Sequence, residues 1–353
     1  MNTFGTNFRL TTYGESHGAA LGGIVDGMPP GVKLDMQSIQ SMLDRRRTGR
    51  DTLTSQRREE DVPEILSGIT GDGVTLGTPI GFIFRNKDAR SGDYREVEHR
   101  YRPNHADYCY EQRYGLRDAR GGGRSSARET VCRVMGGALA MQALHSRYPA
   151  LTIEARVTSV GGVGYDDVLR LLSENATDTR LPYDEKLEED MRQAVAATRD
   201  RHDSVGGVVT CLVKGLPAGV GNPVFGKLHA VLAAAMMSIN AAKGFEYGLG
   251  CELAASHGSE VLDMFNPGFV PTLTSTNYSG GIQGGISNGM PIFFSVYFKP
   301  TPTISRPLEM PDEDGNLSEL CVKGRHDPCV ALRAPVIVES MAALTLADLT
   351  LIR

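Results

Sequence analysis

The chain has 353 residues, 37 Lys and Arg against 42 Asp and Glu for a formal net charge of -5, and 41% hydrophobic residues. That apolar fraction at this length supports a sizeable core and excludes disorder, while 41 Gly without a G-X-Y period exclude collagen. No apolar run reaches the roughly 18 residues of a membrane-spanning helix. The six Cys show no disulfide-framework spacing, and the first residues lack a basic region followed by an apolar core, so reduced thiols, a cytoplasmic location and no membrane contact are expected.

In chain order, apolar periodicity predicts strands over 8–13 and 19–25, then a helix over 35–47. Asp35 is its N-cap; Met36, Ile39, Met42 and Leu43 form its buried stripe; it ends in Arg45, Arg46 and Arg47. Ser38, three residues after the cap, leaves the capping box incomplete. Further strands are expected over 79–84, 151–159, 207–213, 245–252 and 292–298. Further helices are expected over 127–144, 188–198, 227–242 and 330–351, the last broken at Pro335. Strands and helices mix throughout, no linker divides them, and the polar stretch 173–189 reads as a surface loop, so one domain over 1–353 is expected. Residues 22–29 and 284–291 share six of eight positions, which fits either a duplicated unit or chance likeness between Gly-rich segments.

The basic residues are unevenly placed. Arg occurs 29 times and Lys 8, and 17 of the Arg fall between Arg45 and Arg133. Arg suits carboxylate and phosphate, so this quarter of the chain is read as meeting a small, multiply anionic ligand. Some of these Arg are expected to do no more than pair with Glu59, Glu60, Asp61, Glu96, Glu98 and Asp118 at the surface. Tyr101, Tyr108, Tyr110 and Tyr114 interleave with the Arg as a nucleic-acid surface would, but the chain is acidic and carries no nucleic-acid-binding signature, so nucleic acid is not expected.

Four polar islands carry candidate chemistry. Gly121, Gly122 and Gly123 precede Arg124, Ser125 and Ser126, and Ser126 with Glu129 fits a capping box, which makes an anion-binding helix start without the Lys of a Walker loop or the strand-turn-helix context of a Rossmann loop. Gly14-Glu15-Ser16-His17-Gly18 matches G-x-S-x-G literally, but lies too near the N-terminus for a hydrolase elbow. The stretches 102–107 and 324–329 supply His105, Asp107, His326 and Asp327 as acid-base candidates. Zinc is disfavoured: His105 with Cys109 and His326 with Cys329 lack a Cys-x-x-Cys knuckle and stand beside Arg.

These islands are shared, in order, with a known family. The segments 14–18, 44–47, 102–107, 115–118, 121–130, 238–241, 243–244, 284–287, 299–303, 324–329 and 333–334 resemble chorismate synthases, and the likeness runs from about Phe8 to Asp348. It implies an α+β fold, a β-α-β sandwich of antiparallel sheets and helices, assembled as a homotetramer. It implies conversion of 5-enolpyruvylshikimate 3-phosphate to chorismate by anti-1,4-elimination of phosphate, with reduced FMN and with NADPH as an optional reductant.

By the same resemblance His17, His105 and Asp327 are catalytic, the two His supplying protons near phosphate and flavin and Asp327 taking one. Arg46, Arg102 and Arg325 hold the substrate's anionic groups. Arg124, Ser125, Ser126, Asn240, Ala241, Gly284, Lys299, Pro300, Thr301, Pro302, Thr303 and Arg325 line the FMN site. The chain departs from the family at Thr52, where a second basic residue is usual, with Arg50 two positions earlier as a substitute. The plain alternative for Asp327, just before Pro328, is a cap on the last helix.

Overall fold

The computed structural model describes residues 1–49, 53, 59–87, 99–118, 121–312, 314–321 and 327–351. Its elements in order are β1 (Thr3–Phe4), β2 (Arg9–Gly14), β3 (Ala20–Asp26), α1 (Met36–Arg46), β4 (Glu64–Ile65), β5 (Ile80–Arg85), α2 (Asp107–Tyr114) and α3 (Thr130–Arg147). There follow β6 (Thr152–Val160), β7 (Val163–Gly164), α4 (Val168–Glu174), α5 (Glu185–Asp200), β8 (Gly207–Lys214), α6 (Leu228–Met237) and β9 (Ala242–Tyr247). The last are β10 (Ile282–Gln283), β11 (Ile286–Ser287), β12 (Ile292–Phe298), β13 (Leu308–Pro311), β14 (Leu317–Leu320) and α7 (Pro335–Thr350).

Two five-stranded sheets, β1-β2-β3-β5-β4 and β7-β6-β8-β12-β9, enclose the central helices, and every pairing in them is antiparallel. This is the expected α+β sandwich. In the first sheet the period-2 pattern decides the faces: Leu10 and Thr12 on β2 and Ile80, Phe82 and Phe84 on β5 point inward, while Tyr13 and Ile24 stay exposed. In the second sheet, β8 and β12 are apolar on both faces. Val209, Cys211 and Val213 join the main core, while Leu212 and Phe293 join Val168, Leu172 and Leu181 in a smaller cluster beyond the sheet.

Helix α3 packs on β2 and β3, α7 packs on β6 and β8, and the two helices cross each other. The crossing needs Gly137: a Cβ there would lie 2.3 Å from that of Ser340. Helix α7 is buried nearly all round, the signature of a core helix. Its Glu339 takes two hydrogen bonds of 2.7 Å from Arg45 and one from the Ala155 amide, joining α1, α7 and β6. Near its end Asp348 accepts the amides of Thr6, Asn7 and Phe8, fixing the approach to β2.

Most predicted elements fall within a few residues of those observed, and the differences have local causes. Asp35 caps α1, accepting from the Gln37 and Ser38 amides. Asp184 caps α5 and starts it three residues earlier than the apolar stripe suggests. Helix α6 stops at Met237, and Ala241 enters the left-handed region (φ 67°), so β9 starts at Ala242 and ends at Tyr247 instead of spanning 245–252. Helix α2 is polar and aromatic without an apolar stripe, and the sequence pattern misses it. The last helix splits where Pro335 predicts, a short turn Val330–Arg333 preceding α7. The capping box at Ser126 does not form: Ser126 accepts from the Arg128 amide, while Glu129 accepts from Thr12 and Arg133. The two similar octapeptides differ in structure, one lying mostly in β3 and the other beginning at the turn of the β10–β11 hairpin.

Candidate functional site

Distant parts of the chain converge on one cavity of about 370 Å³. The turn after β2 brings His17, the last residue of α1 brings Arg46, and the approach to α2 brings Arg102, Asn104 and His105. The Gly-rich segment before α3 adds Ser125, Ser126 and Arg128, the link from α6 to β9 adds Asn240 and Ala241, and the segment after β12 adds Lys299 to Thr303, except Pro300. Asp327, Val330 and Arg333 join from the approach to α7, and Thr48 and the buried carboxylate of Glu59 line it as well.

Behind this wall a single buried carboxylate serves two arginines. Arg46 donates to Asp61 Oδ2 at 2.5 Å and Arg128 donates to Asp61 Oδ1. Asp61 takes this position with φ 51°, a left-handed conformation that Asp adopts more readily than most residues. Burial acts to raise the Asp61 pKa, but Arg46 and Arg128 outweigh it and hold the carboxyl below its ordinary range. Burial, opposed by Asp61 and reinforced by the charges of Arg128 and Arg333, pulls Arg46 down to about 10. Arg46 Nε, one terminal nitrogen of Arg128 and Arg333 Nε are buried with no hydrogen-bond partner among the described residues. The cluster is therefore rich in cation and poor in acceptors, and an incoming anion would supply what it lacks.

A third arginine is held differently. Arg102 grips Asp107 through Nε (2.8 Å) and Nη2 (2.7 Å), and its amide donates to the same carboxylate. Burial acts to raise the Asp107 pKa, and the hydrogen bonds and charge of Arg102 outweigh it. Arg117 stands 3.6 Å from Asp107 and 3.7 Å from Glu111.

His17 Nδ1 lies 3.0 Å from Ser16 Oγ, and the ring packs on Gly121, where a Cβ would come within 2.5 Å of Nδ1. His105 Nε2 lies 2.5 Å from Thr303 Oγ1. Lys299 donates to the Asn104 carbonyl; burial and then Lys243 lower its pKa. Asn240 donates to the Ser125 carbonyl, while its Oδ1 is buried with no partner among the described residues. Asp327 pairs with Arg333 at 2.5 Å, and Cys329, not Asp327, stands at the N-cap of the short turn before α7.

Of the residues chosen from sequence, the cavity gathers His17, His105, Asp327, Arg46, Arg102, Ser125, Ser126, Asn240, Ala241, Lys299, Thr301, Pro302 and Thr303. Pro300 belongs to the same stretch without lining it. Arg124 turns onto β2, donating to Thr12 Oγ1 (2.6 Å) and the Gly14 carbonyl (3.3 Å), and lines an adjoining cavity of about 980 Å³. Ala106, Gly122 and Ser125 border both cavities. Gly284 sits at the β10–β11 turn and does not line the first cavity. Arg325, His326, Arg50 and Thr52 lie outside the described residues. Sequence reasoning assigned no part to Arg128 or Arg333, although both stand inside recognised segments, and it read Asp61 as a surface partner because nothing local marks it as buried.

The chorismate synthase family model matches residues 8–351. The chain belongs to the chorismate synthase family. Chorismate synthases from Christiangramia forsetii and Parabacteroides distasonis are 50% and 49% identical to it. The matches cover 98% and 100% of this chain and 96% and 98% of those proteins. A crystal structure of chorismate synthase superposes with a TM-score of 0.75 at 30% identity, over 98% of this chain and 92% of the other. The chain is accordingly a lyase with a small-molecule substrate, and among its described residues no helix is long and apolar enough to cross a membrane.

Proposed function

We propose that this chain converts 5-enolpyruvylshikimate 3-phosphate to chorismate and phosphate: the allylic C–O bond to phosphate and a C–H bond at C6 break, and a second ring double bond forms. The observation that carries this reading is the convergence of two His, an Asp and a cation-rich wall on one cavity in a chain of this family. Arg46 with Arg128, Arg102 and the family-matched Arg325 hold the phosphate and carboxylates. Positive charge fixed beside the phosphate stabilises the negative charge that grows there as it leaves. His17 and His105 hold protons for the phosphate and the cofactor, and Asp327, braced by Arg333, is the proton acceptor of the site.

Reduced FMN is the cofactor in this reading. The residues fit it: Asn240 Oδ1 is a buried acceptor awaiting a donor, and Lys299 with the hydroxyls of Ser125, Ser126, Thr301 and Thr303 suits a phosphate-bearing ligand. When bound, reduced flavin supplies a transient electron and takes up hydrogen, with no net redox change. Arg124, Pro300 and Gly284 belong to the proposed FMN set by family match. NADPH as reductant, a homotetramer and a cytoplasmic location complete the proposal. So does a single domain, supported by the one main core cluster that draws on both five-stranded sheets.

An anaerobic assay with the phosphate substrate and dithionite-reduced FMN tests the reading: chorismate and phosphate should appear together, only with reduced FMN, and without consuming it. Flavin oxidised once per turnover, or turnover without flavin, overturns it. His17→Ala and His105→Ala should keep both ligands bound while turnover falls about 10- to 10^4-fold. Asp327→Asn should retain a C6 deuterium isotope effect on slowed turnover, with melting lowered because Arg333 loses its buried carboxylate partner; wild-type turnover would remove Asp327 from the mechanism.

A further inference from the structure

The turn that carries His17 is fastened from beneath by a residue outside the cavity lining. Asn86 follows β5, and its backbone amide donates to the Ala19 carbonyl (3.1 Å). Its side-chain amide points into the turn, Nδ2 lying 2.9 Å from the Gly18 carbonyl, 3.1 Å from that of Glu15 and 3.4 Å from that of Ser16. On its other edge Asn86 Oδ1 accepts from Arg128 Nε at 3.3 Å. One side chain thus links the carbonyls on both sides of His17 to the arginine that shares Asp61 with Arg46.

We propose that Asn86 is the positioning residue of His17, holding its turn in register with the Arg46–Asp61–Arg128 anion cluster. The proposal deepens the assignment of His17 as a proton-holding group and rests on it for its kinetic consequence. Three carbonyls facing one amide define the turn's height over the sheet. The ring is confined above by Ser16 and by Gly121, whose missing Cβ leaves the space that Nδ1 occupies. Asn is suited to this place because it offers donors to the turn and an acceptor to Arg128 at once; Asp offers only acceptors. A displacement of about 1 Å is enough to cost a proton-transfer group on the order of 100-fold.

The test uses the full chain with 13C-labelled histidine, the His17 ring signal being assigned by its loss in His17→Ala. In Asn86→Ala the His17 signal should move while those of His145 and His202, which make no contact with this turn, stay in place. Turnover should fall about 10- to 100-fold, with KM for the phosphate substrate within about threefold. Asn86→Asp should fail as Asn86→Ala does, because it keeps the contact to Arg128 but gives nothing to the carbonyls. Gly121→Ala should move the same His17 signal from the opposite side, a control on the ring reading, and Asn86→Asp read by that signal carries the test if Asn86→Ala does not fold. In a His17→Ala background, Asn86→Ala should cost no further turnover. An unmoved His17 signal in Asn86→Ala, full rescue by Asn86→Asp, or losses that multiply in the double variant would each overturn the proposal. Wild-type turnover in His17→Ala would instead overturn the function assigned to His17, while the ring signal still decides whether Asn86 positions it.

Discussion

Two arginine clusters reach the same cavity, one through Arg46 and Arg128 and the other through Arg102, with opposite charge accounts. At Arg46 and Arg128, two guanidiniums share the one carboxylate of Asp61, all three side chains are buried, and two guanidinium nitrogens have no partner among the described residues. At Arg102 and Arg117, two guanidiniums face Asp107 and Glu111, and Arg102 is gripped by two parallel hydrogen bonds. The first cluster is under-neutralised and the second is balanced. An under-neutralised buried cluster costs stability until an anion arrives, whereas a balanced one fixes geometry whether or not anything is bound. We read both as contacts to the substrate's charge, the first drawing the anion to satisfy its excess cation and the second presenting Arg102 from a preset wall.

The largest expected effect tests the centre of the first cluster. Asp61→Asn leaves two buried guanidiniums facing a neutral amide, and breaking a buried pair in this way costs about 3 to 5 kcal/mol. Asp107→Asn should cost less, about 1.5 to 3 kcal/mol, since Glu111 remains near Arg117 and the amide still accepts one bond. Denaturant unfolding of the two variants measures both. Equal losses would mean that the number of arginines per carboxylate is not what separates the clusters.

The next effect splits stability from binding. Arg46→Met leaves Asp61 paired one to one with Arg128 and removes a crowded cation, so unfolding stability should change by less than about 1 kcal/mol. Arg102→Met strips Asp107 of its bidentate partner and should destabilise by about 3 kcal/mol. Both variants should weaken substrate binding about tenfold to a hundredfold, the worth of a charged hydrogen bond of about 1.5 to 3 kcal/mol, with FMN affinity much less affected. If Arg46→Met proved the less stable of the two, the excess positive charge assigned to its cluster would be wrong.

How much of this contrast was legible in the sequence follows from what is local. Strand faces, the Asp35 cap and the break at Pro335 depend on neighbours within a few residues, and they were readable. So were the polar islands, because His17, Arg102 and His105 stand among Gly and Pro that mark turns. Asp61 was not readable: its partners come from the end of α1 and from the turn before α3, 15 and 67 positions away, and burial turned an ordinary acidic residue into the hub of a cluster. The contacts of Arg124 were unreadable for the same reason. Its motif suggests an anion site, but the edge of β2 offers Thr12 and Gly14 as acceptors and the guanidinium goes there. Asn86, after an unremarkable strand, matters only because β5 ends beside the His17 turn.

The smallest effect is a matter of pH, and it sharpens the comparison because the two carboxylates shift in the same direction for different reasons. Both Asp61 and Asp107 lie below their ordinary value of 3.8 in the folded chain, despite burial that acts to raise them. A carboxyl whose folded pKa is depressed stabilises the fold fully above its unfolded value, and that stability is lost as pH falls through the folded one. Stability should therefore fall away below about pH 3.8. Each contributes to that loss, Asp61 through the charges and hydrogen bonds of Arg46 and Arg128, Asp107 through the hydrogen bonds and charge of Arg102 and the charge of Arg117. Denaturant midpoints followed across the acid limb should show a shallower decline in Asp61→Asn and in Asp107→Asn than in the unsubstituted chain. An acid limb left unchanged by either substitution would mean that the arginines around that carboxylate do not hold it ionised in the folded chain.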